Sequence, residues 1–241
     1  VMSVGLSVEW AILTMGFWHA VFSEGFENHS VLLTLPLVAE AVFAGGSAIA
    51  SAGVTLGRAS LFQQGGLAII HIVGFGFLRG VAGEMDVIDP AATAHGWLYG
   101  AAFGIGTAVF VGLKHLKRRS DNVSDYNSEL LSSAGALFFA VYFPSANLAL
   151  LPLHLQPRAL AGGVMGMVSS LVASIVVSFH LRDKVRMSDV QVGAVAGGIA
   201  VGGIGALTIW SLGAVLTGSV AGAVSVFSAI RLQPILSRKF R

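Results

Sequence analysis

Ionisable side chains are scarce in this 241-residue chain, so those that fall within apolar sequence stand out. Glu40 lies in "LPLVAEAVFAGG", and a carboxyl that deep must pair with a buried polar group or stay neutral inside a bundle. Asp89 directly precedes another apolar run, where a carboxylate can accept hydrogen bonds from the free amides of a helix start. Glu9 falls near one end of its run, the N-terminal one, within reach of an interface. His19 and His71 have no second ligand three or four residues away, so hydrogen bonding between helices suits them better than metal binding. No stretch reads as a nucleotide loop or a catalytic triad, and "GIGTAVFVGLK" (104–114) lies inside an apolar run, where its glycines serve helix packing. The expectation is a protein that is not an enzyme and carries neither cofactor nor metal.

The elements that must position these residues are membrane helices. The chain is 55% hydrophobic and 11% charged, whereas a soluble domain carries about 25% charged residues. Apolar runs of about 20 residues, enough to cross a hydrocarbon core, recur along nearly the whole length. They predict an all-α polytopic bundle of about eight transmembrane helices, near 3–22, 31–56, 61–80, 91–113, 130–151, 158–180, 190–209 and 213–231. The 31 glycines allow these helices to approach closely. With no cysteine there is no disulfide and no thiolate metal site.

If each helix crosses once, the connections alternate sides and the basic residues test the arrangement. Arg58, Lys114, Lys117, Arg118, Arg119, Arg182, Lys184, Arg186, Arg231, Arg238, Lys239 and Arg241 fall on one side, twelve of the fourteen. Arg79 and Arg158 fall on the other, with the acidic 23–30 and 81–90 loops. Both termini are therefore expected on the basic, cytoplasmic or matrix-like side. The net charge of +2 reflects this topology and does not point to nucleic acid. The bilayer is the expected environment. The whole of 1–241 reads as one membrane domain, with a first half at 1–113, a polar link at 114–129 and a second half at 130–241. The start at Val1-Met2, already close to a span and without a cleavable leader, predicts further sequence upstream.

Five segments in order carry a family resemblance: "SVEWAILTMGFWHAVF" (7–22), "DPAATAHGWLYGAAFG" (89–104), "SELLSSAGALFFAVYFPSAN" (128–147), "DVQVGAVAGGIAVG" (189–202) and "LGAVLTGSVAGAVS" (212–225) followed by "LQPIL". Together they resemble the Rh (Rhesus) branch of the ammonium-transporter superfamily. There the fourth-helix segment reads Asp-Ala-Gly-Gly-Ser…His-Thr-Phe-Gly-Ala-Tyr-Phe-Gly, and a later helix ends in Trp-Pro-Ser-Phe-Asn. The resemblance implies an eleven- or twelve-helix fold of two inverted halves, usually trimeric, with a narrow apolar pore. It implies passage of ammonia, or of ammonium after deprotonation, with carbon dioxide proposed for some members. An outer acidic anchor, two stacked Phe rings and two facing imidazoles serve that pore.

Carried over by position, the anchor is Asp89 and the first gate ring is Phe43. The second ring falls on Ala146, whose methyl group cannot occlude a pore. The first imidazole falls on Trp97, eight residues after Asp89, which offers one donor and no acceptor. His95 is no substitute, because two residues along a helix turn it about 200° away. The second imidazole belongs to a helix with His-Asn-Leu-His-Gly, and the sequence stops at "LSRKFR", where that helix is due. The resemblance therefore predicts a divergent member without the family's first and last helices. Its pore would be degraded, and it would act as a structural or accessory subunit beside other membrane subunits or as a homotrimer. The alternatives are a working ammonia or carbon dioxide channel, or a sensor binding near Asp89.

Overall fold

A computed structural model describes residues 2–22, 31, 33–56, 59–89, 91–110, 125–204 and 210–235, which are helical or lie in the connections between helices. The acidic residues of 23–30, Arg58, the basic run within 111–124 and the final "LSRKFR" lie outside the described residues. Two compact units divide the chain, Val1–Asp121 and Asn122–Arg241.

The first unit holds α1 (Met2–Phe22), α2 (Leu35–Thr55), α3 (Leu61–Glu84) and α4 (Thr93–Phe110). Side chains fix several of the starts. Thr34 Oγ1 accepts from the Leu37 amide at 3.4 Å, and Pro36 occupies the first turn, so α2 starts at 35 rather than 31. Ser60 and Gln63 form a reciprocal cap on α3, with Ser60 N–H donating to Gln63 Oε1 at 2.9 Å. In α1, Ser7 and Thr14 return their hydroxyls to the carbonyls of Ser3 and Trp10, at 2.7 and 2.9 Å. That lets polar residues sit in an apolar helix without an unpaired donor. α1 packs on α2 and α3, and α2 packs on α4. Small residues dominate the core: Ala11, Ala41, Ala44 and Ala48 surround Met15, Ile72 and Phe75.

The second unit holds α5 (Tyr126–Leu148), α6 (Gln156–Arg182), α7 (Met187–Gly202) and α8 (Ser211–Phe227), the last continuing into a π-helical turn at Ser228–Leu232. Asp125 and Ser128 cap α5. This helix does not stop at Pro144: it runs through the proline to Leu148, one turn further. α6 packs on both α7 and α8, and its serines make the close approach polar as well as tight. Ser170 Oγ donates to Gly193 O at 2.6 Å, and Ser178 Oγ donates to the buried Asp189 Oδ2 at 2.6 Å. Arg182 stands 3.4 Å from the same oxygen.

All eight expected helices are present. Six of them, α1, α2, α3, α5, α6 and α8 with its continuation, are long and apolar enough to cross a membrane. α7 has only 16 residues, about 24 Å of rise against a core of about 30 Å. α4 reaches 18 residues but carries Thr93, His95 and four glycines, which dilute its apolar character.

Candidate functional site

Asp89 caps α4. Its Oδ1 accepts from the Thr93 amide at 2.9 Å, and its Oδ2 accepts from the amides of Ala94 and His95 at 2.8 and 3.1 Å. His95 Nδ1 stands 2.8 Å from Oδ2. The chain reaches this geometry by turning through Ala92 at φ 50°, a left-handed conformation that costs a residue with Cβ about 1–2 kcal/mol. The resembling family motif has glycine there. Burial raises the Asp89 carboxyl, but the His95 side chain and the amides of His95 and Thr93 outweigh it and hold the group below the usual carboxylate range. Both oxygens are thus engaged in ordering the start of the helix.

Glu40 pairs with Arg79, Oε1 to Nη2 at 2.9 Å, joining α2 to α3. Arg79 Nη1 also donates to the Asp89 carbonyl, at a long 3.5 Å. The pairing read for Glu40 therefore has a named partner, and that partner touches the α4 cap. One turn on from Glu40, the half-buried Phe43 ring belongs to the same helix. Trp97 is half-buried on α4 with its indole over Gly46 of α2, where an added Cβ would meet Cζ2 at 3.4 Å. Gly46 and Phe43 are neighbours on one face of α2. The first unit thus gathers Phe43, Trp97, Glu40 and Asp89 around α2 and the start of α4. Ala146 belongs to the second unit and is exposed, while the adjacent Asn147 Nδ2 ties α5 to α7 by donating to Gly202 O at 2.8 Å.

His71 is fully buried and links three helices. Ser47 Oγ donates to Gly96 O at 2.6 Å, and His71 Nε2 lies 3.1 Å from the same Oγ. Tyr99 O–H donates to His71 O at 3.2 Å, and the Tyr99 and Phe103 rings flank the imidazole. Beside the exposed His19, Trp18 Nε1 donates to Val73 O at 3.1 Å. Glu9 is exposed near the start of α1. Sequence reading missed Arg79 as the partner of Glu40 and Ser47 as the hub on α2. An arginine on the acidic side, at the end of a span, was the available signal for the first. No group of three or more His, Asp or Glu positioned for a metal occurs among the described residues.

Residues 59–240 match the Ammonium Transporter Family, most of the chain's length. The chain is 30% identical to Rhesus-like glycoprotein B of Dictyostelium discoideum over 250 residues, covering 98% of this chain and 41% of that protein. It is 31% identical to Rhesus-like glycoprotein A of the same organism over 240 residues, covering 96% and 45%. With ammonium transporter Rh type C of Xenopus laevis the identity is 28% over 240 residues, covering 97% and 50%. The solved structure of Nitrosomonas europaea Rh50 superposes with a TM-score of 0.84 at 24% identity, covering 98% of this chain and 62% of that one. At that identity the superposition speaks for the fold. The chain spans about half the length of the curated relatives it matches. It belongs to the ammonium transporter family, a family of transporters and not of enzymes, and is a multi-pass integral membrane protein whose similar relatives include proteins of Rh type.

Proposed function

We propose that this chain keeps the Rh scaffold without its conducting chemistry, and serves as a structural or accessory subunit of a membrane assembly. The observation that supports this reading is Trp97, an indole packed over Gly46 at the position the family motif gives to a channel imidazole. A neutral imidazole can donate one hydrogen bond and accept another, so it can replace water around ammonia; an indole has no acceptor. Ala146, where the motif has a gate ring, points the same way. In this reading the two units form one Rh-like domain, with both termini on the basic side. The bilayer surrounds it, together with further membrane subunits or two more copies of the chain.

A second reading, an ammonia or ammonium channel of Rh type, is favoured by Asp89 and Phe43, which match the anchor and the first gate ring. Several relatives are named ammonium transporters. The two readings part on uptake of labelled methylammonium by cells that lack their own ammonium transporters. The scaffold reading expects uptake equal to the empty-vector control. Uptake well above that control, and lowered by Asp89→Ala at equal surface expression, establishes the channel instead.

A further inference from the structure

His71 has one ring nitrogen that the packing of α2, α3 and α4 leaves unused. The Ser47 hydroxyl has a single proton, directed at Gly96 O, so His71 Nε2–H is the donor to Ser47 Oγ. In a neutral imidazole Nδ1 is then an acceptor, and it has no hydrogen-bond partner among the described residues. A charged ring is no remedy, since no carboxylate among the described residues contacts the imidazole and an isolated buried charge costs far more than an unmet hydrogen bond. His71 has no exposed surface, so the missing donor must come from something admitted to the interior.

A cavity of about 320 Å³ opens from the end of the first unit that carries the start of α1, the end of α2 and the start of α3. Its walls include Ser7, Ser51, Thr55, Gln64 and Thr107, and no ionisable side chain among the described residues. It reaches Ala68, one turn before His71 on α3, and Phe103, whose ring meets the imidazole edge-on at 5.0 Å. A charged ligand would find no counter-ion on these walls. A neutral molecule of one or a few heavy atoms would find hydroxyls along the way.

We propose that His71 Nδ1 is the acceptor of a site for one small neutral hydrogen-bond donor, water or ammonia, reached through this cavity. The site lies wholly within the first unit. It is independent of whether the protein conducts.

The test uses the full chain in bilayers, grown with nitrogen-labelled histidine, with His71→Gln assigning the His71 signals. The Nδ1 signal is expected at the position of a hydrogen-bonded acceptor. Water protons will transfer magnetisation to it if water is the occupant. Ammonium chloride at alkaline pH will shift it if ammonia competes for the site. A signal at the free-acceptor position, with no transfer and no ammonia response, overturns the proposal. The natural chain has no cysteine, so Ser51→Cys independently tests access. A small thiol reagent should label it in the folded protein, and failure to do so overturns the route.

Discussion

A carboxylate at a helix start and a carboxylate at the mouth of a pore look alike in sequence, and the sequence alone leaves both readings open for Asp89. Its geometry makes the capping role concrete: three amides and one imidazole nitrogen converge on two oxygens. Asp89→Ala should therefore destabilise the protein by about 2 kcal/mol, the upper end for losing a capping side chain, read as thermal unfolding in detergent. The pH dependence follows from the lowered carboxyl. Its stabilisation is fully present above the ordinary value of 3.8 and is lost as pH falls below that, through the lower value in the fold. The stability gap between the native protein and Asp89→Asn should thus close as pH falls beneath that region. Ser47→Ala removes the acceptor for His71 Nε2–H and the donor for Gly96 O, so a loss of about 1–3 kcal/mol is expected in the same assay. Capping by Asp89 was legible because it depends on residues a few places apart. The Glu40–Arg79 pair spans 39 positions, and only the packing of α2 on α3 brings the two together.

The helices themselves were legible from hydropathy, because a membrane span needs length and apolar composition and both are local properties. Their ends were less so. Thr34 with Pro36, Ser60 with Gln63, and Asp125 with Ser128 set the starts, and these signals are shorter than the window that finds the span. Between helices, glycine decides how close backbones come. A Cβ on Gly100 of α4 would meet Ser47 O at 2.6 Å, and one on Gly222 of α8 would collide with the Ser170 backbone of α6. Gly135 of α5 has nothing within 4 Å of that position. Gly100→Ala and Gly222→Ala should each cost about 1–3 kcal/mol by overpacking, since the atoms in the way are backbone. Gly135→Ala should cost nothing and could gain up to about 1 kcal/mol from helix propensity. Equal losses at all three glycines would mean that the packing described for α4 and α8 is wrong.

For the molecule as a whole, the family was legible because five short segments occur in the family's order, although small apolar residues make each one weak alone. Function is harder to read, since Phe43, Trp97 and Ala146 are significant only as replacements or survivors within that pattern. An accessory role implies company in the membrane, so native mass spectrometry from mild detergent should find the chain mainly in complexes, with copies of itself or with other subunits. Ammonia entering a dry pore must exchange its hydrogen bonds to water for others, at a cost of several kcal/mol if they go unmet. An indole at position 97 offers at most one donor towards that cost. The direct measurement is internal pH in proteoliposomes containing the native protein after an ammonium gradient is imposed. Alkalinisation no faster than in protein-free vesicles is the predicted result; faster alkalinisation that Asp89→Ala abolishes would contradict the account and establish a channel.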